Sequence, residues 1–219
     1  PEAAMADCQV LAQNYDMDAD SWFLTGKVAL AMDGYDEASS DFEQAYGEDS
    51  SYDRAIQIYE TYLEKDMEAD GTRYLEAVLS TEAKGADDLC ERGRIYYYMA
   101  DYANAKKELT DASNQGSQEA LLVLGMVYSA QEDYANARSM YQQYINQKLE
   151  ESSKKQTQTA APGYNGLAVC DMADGNYDSA LENINSGISV ASDDEMQSLL
   201  FNEIVAYEKK LDFSTAQEK

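Results

Sequence analysis

The chain contains no histidine, and its 219 residues include only 2 prolines, 3 cysteines and 16 Lys plus Arg. Each scarcity removes a class of chemistry. Without an imidazole there is no Ser-His-Asp or Cys-His catalysis, no His-ligated metal and no acid–base group poised near neutrality. Cys8, Cys90 and Cys170 lie roughly 80 residues apart, odd in number and without a C-x-x-C, which speaks against a disulfide framework or a zinc site. They read as small apolar residues in helix packing. The few cations face 42 Asp plus Glu, a net charge of -26. Such a surface repels phosphates and argues against nucleic acid or an anionic membrane as partner. No run of about 18 apolar residues is present, so no membrane-spanning helix is expected. Against these gaps, 44% apolar and 26% charged residues suffice for a packed core.

Proline is confined to Pro1 and Pro162, glycine is sparse and no alternating strand pattern appears. Apolar residues recur instead at three- and four-residue spacing in blocks of ~11–16 residues. Short clusters of Asp, Gly, Ser and Asn separate the blocks. This predicts an all-helical chain of antiparallel hairpins. The blocks are also self-similar. Gly34-Tyr35-Asp36-Glu37-Ala38, Asp101-Tyr102-Ala103-Asn104-Ala105, Asp133-Tyr134-Ala135-Asn136-Ala137 and Asn176-Tyr177-Asp178-Ser179-Ala180 share one pattern, and Asp212-Phe213-Ser214-Thr215-Ala216 closes the chain with it. Ahead of the marker alanines stand Trp22, Gly26 and Ala29, then Leu89, Gly93 and Tyr96, then Leu121, Gly125 and Tyr128. Behind them follow Phe42, Leu109 and Tyr141, each four residues on.

That spacing resembles the tetratricopeptide repeat, whose pattern is W-x2-L-G-x2-Y followed by A-x3-F. A mid-helix glycine costs about 1 kcal/mol against alanine. Its recurrence at one repeat position implies a compensating close approach by the bulky residue four places after the marker alanine. Ala168 and Asp171 replace the Gly and Tyr in the fifth segment, and the last has Ile204 and Tyr207. The resemblance implies an all-α fold, an α-α superhelix: a right-handed solenoid of antiparallel helix pairs spanning 1–219. Its repeats are 19–52, a degenerate 53–85, 86–117, 118–151 and 161–194, with a half repeat at 1–18 and a partial one at 195–219. Ala4, Cys8 and Leu11 carry the second-helix spacing, and Ala4 precedes Ala38 by 34 residues. Between Ala137 and Ala180 the interval is 43, which places an insertion at 148–163, read as a helix end running into a solvated polar loop with Lys148, Lys154 and Lys155. In 51–85, Tyr52-Asp53-Arg54-Ala55 looks like a second helix, whereas helix-counting parity makes it a first helix partnered by 71–84. The sequence leaves both open.

Candidate chemistry is thin. Asp16-Met17-Asp18-Ala19-Asp20 opens like a calcium loop, but Ser21 and Lys27 stand where glycine and a bidentate glutamate are required. A turn with Asp20 or Ser21 capping a helix from near Trp22 is expected instead. Ser192-Asp193-Asp194-Glu195 reads as a capping box. With 42 acids, carboxylate pairs arise by chance and mark no glycosidase site. The expectation is no enzyme, no metal and no cofactor.

Most of the 18 tyrosines fall on repeat-core positions. Beside the face turned to its own partner, each first helix carries a second stripe, set by the 3.6-residue period. It holds Phe23, Lys27 and Leu30, then Cys90, Arg94 and Tyr97 with Tyr98 adjacent, then Leu122, Met126 and Ser129, then Asn165, Val169 and Met172. By the resemblance this stripe lines a concave groove. Phe23, Lys27, Leu30, Arg94, Tyr97, Tyr98, Leu122, Met126, Asn165 and Val169 are therefore the candidate partner-binding residues. Some members clamp a peptide C-terminal carboxylate with Lys and Asn along it, a scheme that only Lys27 fits, so no such clamp is expected. The expected function is a protein-interaction scaffold holding a peptide or helix, with basic partners favoured by the acid excess. The alternative is a structural spacer that self-associates through its terminal helices or presents other domains. Few lysines with abundant Asp, Tyr, Ser and Gln resemble exported bacterial proteins, such as a surface lipoprotein whose anchor has been trimmed, so an extracytoplasmic, envelope-anchored location is expected. The unpaired cysteines point to the alternative, the cytoplasm.

Overall fold

In the computed structural model, residues 7, 10, 16–152 and 159–217 are described, their side chains through 150 and through 211. These residues form eleven α-helices and, among them, no strand. The chain divides into two compact units, Pro1–Ala83 and Lys84–Lys219. In the first, α1 (Ala19–Ala31) pairs with α2 (Tyr35–Glu48) and α3 (Tyr52–Leu63) with α4 (Glu68–Leu79). In the second, α5 (Ala86–Tyr98) pairs with α6 (Tyr102–Asn114), α7 (Glu119–Ala130) with α8 (Tyr134–Ser152) and α9 (Ala161–Ala173) with α10 (Tyr177–Ile188). The last helix, α11 (Asp193–Gln217), packs on α10 and α9.

The turns inside the pairs share one geometry. Asp33, Asp66, Ala100, Glu132 and Gly175 all have positive φ, between 56° and 76°. The amide of the residue after each donates back across the helix end: Gly34 to the Ala29 carbonyl at 2.9 Å, Asp101 to Tyr96 at 2.9 Å, Asp133 to Tyr128 at 2.9 Å. This is the left-handed helix stop that glycine ordinarily fills, yet only Gly175 is glycine. Asp101 and Asp133 then cap the next helix through the Asn104 and Asn136 amides, both at 3.2 Å. The recurrent Asp-Tyr-Ala-Asn-Ala thus stops one helix and starts another.

Packing within the pairs follows the small-against-bulky logic. The marker alanines Ala38, Ala105, Ala137 and Ala180 are fully buried. A Cβ built on Gly26 would stand under 3.0 Å from the Phe42 ring, one on Gly93 as close to Leu109, and one on Gly125 as close to Tyr141. The degenerate pair reverses the arrangement: Gly71 sits on α4, where a Cβ would lie 2.9 Å from the Tyr59 Cα of α3. Its closest approach is of backbone to backbone, and Tyr52–Leu63 is the first helix of that pair.

Three local expectations are corrected. Helix α1 starts at Ala19, capped by Asp18, whose carboxylate accepts from the Ser21 amide at 2.8 Å. The cap thus lies upstream of both residues expected to supply it, because Asp20 and Ser21 are already helical. Lys148 belongs to α8 and is 6% exposed, its ammonium 4.0 Å from Glu119 and 5.3 Å from the Tyr144 ring. Its alkyl stem takes up core space while the charge finds a carboxylate and a π face. Lys154 and Lys155 lie outside the described residues. Lastly, α11 continues to Gln217 without the turn expected at Asp212-Phe213.

Candidate functional site

The second unit contains a cavity of about 480 Å³. Its walls come from the first helices of successive pairs. Tyr97 reaches it from the last turn of α5, Leu122 and Met126 from α7, and Asn165 and Val169 from α9. The one-turn spacing of Leu122 with Met126 and of Asn165 with Val169 puts each couple on one helix face. Ala161, Pro162 and Gly166 complete the α9 wall, and Glu195, Ser198 and Leu199 close the end from α11. The floor is Tyr141 of α8, backed by Ser129 of α7.

Tyr141 is fixed from both sides. A Cβ on Gly166 of α9 would lie 2.5 Å from its Cε1, and one on Gly125 of α7 would lie 2.4 Å from the same atom. Its hydroxyl lies 3.3 Å from Ser129 Oγ, which in turn lies 3.6 Å from Cys170 Sγ. Burial pushes the phenol up to about 12, against the lowering effect of the Ser129 hydroxyl. Burial likewise raises the Cys170 thiol and the Tyr97 phenol. The Tyr97 ring stands 5.9 Å from Tyr98 and 6.3 Å from Tyr102, in tilted contacts that hold it against the cavity mouth. Asn165 accepts a hydrogen bond from Asn202 of α11 at 2.8 Å, which orients its amide.

Among the described residues lining the cavity, Glu195 is the one that carries a charge. It accepts from Thr159 Oγ1 at 2.7 Å and from the Ser192 amide and hydroxyl, each at 2.8 Å. Burial raises its pKa, but these hydrogen bonds outweigh burial and leave it below the ordinary carboxylate value. The Ser192–Glu195 capping box is therefore also a strut between the start of α11 and the residues preceding α9.

Five of the ten expected groove residues, Tyr97, Leu122, Met126, Asn165 and Val169, line this cavity. Tyr98 stacks beside Tyr97 without lining it, and Arg94 is paired along its own helix with Glu91 at 3.4 Å. Phe23, Lys27 and Leu30 belong to the first unit. There Phe23 is half-buried, with the Arg54 guanidinium 4.9 Å and the Lys27 ammonium 5.5 Å from its ring centre. Arg54, itself 6% exposed, also pairs with Asp20 and bonds Gln57 at 2.9 Å. Phe23 is thus the base of a structural cluster. Leu30 is 1% exposed and belongs to the core, as does Cys90 at 2%. Both are covered by the residues packed around them, whereas Tyr97 on the same stripe is only half-buried. Burial pushes the Cys90 thiol up to about 11.

Sequence reasoning missed Tyr141, Gly166 and the α11 residues. Tyr141 occupies a core signature position and serves core and cavity together. Gly166 stands two residues before the place at which the repeat glycine is counted. Ser198 was legible: counting back from Ala216, as for the other repeats, puts it on the same stripe.

The model of the tetratricopeptide repeat matches residues 118–150, which cover α7 and nearly all of α8. Residues 118–150 thus match one tetratricopeptide repeat. The fold class of the chain is that of the α-α superhelices. It is similar in fold to TTC0263, a thermophilic tetratricopeptide-repeat protein in Thermus thermophilus, with 15% identity over 88% of this chain and 99% of that one and a TM-score of 0.57. PilW, a widely conserved type IV pilus biogenesis factor, is 16% identical over 90% of this chain and 92% of its own, with a TM-score of 0.52. Yeast Tom70 is 13% identical over 96% of this chain and 47% of its own, with a TM-score of 0.55. At these identities the likeness is one of fold. No curated protein matches the sequence. A tetratricopeptide-repeat fold is suited to protein–protein interaction.

Proposed function

We propose that this chain is a non-catalytic scaffold that seats an apolar side chain of a partner helix or peptide in the cavity of its second unit. The observation that carries this reading is the 480 Å³ cavity walled by Tyr97, Leu122, Met126 and Val169 from three successive first helices. Such a site is concave, mostly apolar and built on helices rather than loops, as pre-formed binding sites are. Among the described residues lining it, Glu195 is the one charge, and no cation stands ready for an acidic anchor. With a net charge of -26, the chain favours a partner whose anchor is flanked by Lys or Arg.

The test is capture from extract of the source cell on the immobilised chain, compared with a Tyr97→Glu/Met126→Glu variant. Both side chains are half-buried at the wall, so the helical circular-dichroism signal should persist. The variant should lose the captured partner by at least about tenfold, equivalent to about 1.4 kcal/mol, and capture by the parent chain should weaken with salt. Undiminished capture by a folded variant defeats the reading.

A further inference from the structure

The lining of the cavity in the second unit combines two chemistries. Tyr97, Leu122, Met126 and Val169 offer apolar surface from α5, α7 and α9. The polar contribution comes from α11 and the α9 residue beside it. Glu195, Ser198 and Asn202 fall three and four residues apart, on one stripe of α11. Glu195 and Ser198 line the cavity, and Asn202 donates to Asn165 of α9, which lines it too.

The Glu195 carboxylate is held from one side. Thr159 Oγ1 at 2.7 Å and the Ser192 amide and hydroxyl, each at 2.8 Å, all converge on Oε2. Among the described residues, Oε1 accepts no hydrogen bond and no cation pairs with the carboxylate. Those same donors keep the group below the ordinary carboxylate value, so it is ionised at neutral pH. Its polar neighbours have acceptors to spare. Ser198 commits its proton to the Glu195 carbonyl at 3.0 Å, which leaves its Oγ lone pairs. Asn165 Oδ1 receives the Asn202 amide and has a second lone pair. Among the described lining residues there is no Lys or Arg to supply a positive donor. A half-buried charged oxygen without a donor is costly until one arrives.

A long alkyl stem that ends in a cation answers both chemistries, and lysine and arginine each have one. The number of open oxygens separates them. A guanidinium pairs best with both oxygens of a carboxylate, fork to fork, but Oε2 already takes three donors. An ammonium is a point charge with three rotatable donors, suited to a single oxygen flanked by other acceptors. On the reading that this cavity is the partner's seat, we propose that a lysine of the partner enters it, its stem along Met126 and Val169 and its ammonium on Glu195 Oε1. The net charge of -26 draws such a basic segment toward the chain.

The experiment titrates the full chain with amino acids blocked as Nα-acetyl methylamides and follows the methyl resonances of Met126 and Val169. The probes are lysine, norleucine (the same stem without the ammonium) and arginine, with n-butylammonium as a free amine. Blocked lysine should bind about fivefold tighter than blocked norleucine, the strong end for an ion pair still in touch with water. Arginine should bind no tighter than lysine. Added salt should weaken lysine and leave norleucine unchanged. Glu195→Gln retains a residue that serves a capping box. It should abolish the advantage of lysine while norleucine still binds, which also shows that the variant cavity is folded. Norleucine binding as tightly as lysine, or a lysine advantage that survives in E195Q, overturns the proposal and leaves a purely apolar seat. Tighter binding of arginine overturns the choice of lysine. Binding of n-butylammonium without blocked lysine means a free amine, not a partner's side chain, and overturns it as well. A cavity whose methyls shift with none of the probes also overturns it, and the capture comparison with Tyr97→Glu/Met126→Glu then decides separately whether the cavity is a seat at all.

Discussion

Substituting Gly125 by alanine tests the packing rule at its tightest point. Alanine is the better helix former by about 1 kcal/mol, so propensity alone predicts a more stable protein. Geometry predicts the reverse. The new Cβ would stand under 3.0 Å from three carbons of the Tyr141 ring. The ring cannot retreat, because Gly166 presses on it from α9 and its hydroxyl is tied to Ser129. Overpacking a well-filled core costs about 1–3 kcal/mol, and a ring held on both sides puts this site at the upper end. The net expectation is a loss of about 2 kcal/mol after the propensity gain is subtracted. In urea, with a slope of about 2 kcal/mol per molar, the midpoint should fall by about 1 M. Gly47→Ala is the control. Gly47 is also helical, nothing lies within 4 Å of its Cβ position, and it should gain a few tenths to about 1 kcal/mol. Urea unfolding followed by far-UV circular dichroism reads both. If G125A is as stable as the parent with an unchanged slope, the ring is not seated on the α7 backbone and the small-against-bulky account fails.

Other outcomes follow from the turns and the titrating groups. Ala100 and Glu132 hold φ of 56° and 59°, a conformation that costs a non-glycine residue about 1–2 kcal/mol, so Ala100→Gly and Glu132→Gly should each raise thermal stability by about 1 kcal/mol. Burial holds the phenols of Tyr141 and Tyr74 up at about 12, above the ordinary 10. The fold therefore prefers them neutral: their contribution is intact below pH 10 and is lost as pH climbs through 12. Phenolate absorbance should consequently appear late and together with unfolding, and normal titration of all tyrosines in the folded chain refutes this. Glu195 titrates in the opposite sense. Its pKa lies below 4.5, so the charged form contributes fully above that value and the contribution disappears as pH falls through the folded pKa. The stability gap between the parent and Glu195→Gln should be present at pH 7 and should close in acid.

Much of the fold could be read from spacing because the repeat writes its packing into residue size. Gly26, Gly93 and Gly125 are costly in a helix unless something needs their missing Cβ, and that cost made them legible. Turn geometry was less so. The left-handed positions hold Asp33, Ala100 and Glu132, whose side chains give no sign of positive φ, and only the capping aspartates beside them mark the turn. The candidate site was legible where the neighbouring pair leaves the stripe uncovered. Tyr97, Met126 and Leu122 line the cavity from the stripe, whereas Leu30 and Cys90 occupy the same stripe and are buried in the core. A period of 3.6 residues fixes a direction around the helix, not how deep the neighbouring pair covers it. Lys148 was read as solvated from its charge and its polar neighbours in sequence, while Glu119 and Tyr144, which receive it, are distant in sequence or on the buried face.

Under the proposed function Tyr141 joins stability to recognition, since its ring is both the contact between α7, α8 and α9 and part of the cavity lining. A wall locked in this way needs no ordering when a partner arrives, and the entropy of fixing it has already been spent in folding. Across the cavity, Met126 and Val169 are less buried, and an unbranched Met adapts to the shape of what it meets. The two sides thus predict different responses. Tyr141→Phe removes the hydroxyl and leaves the ring in place, costing about 1 kcal/mol of stability with Ser129 still able to face Cys170. Partner affinity should hardly change. Gly166→Ala drives a methyl into the ring from the α9 side. It should reshape the floor and weaken partner binding by about tenfold or more, beyond any loss of folded protein measured in the same sample. Equal losses of affinity in the two variants would mean that the hydroxyl, not the ring position, is what the partner reads.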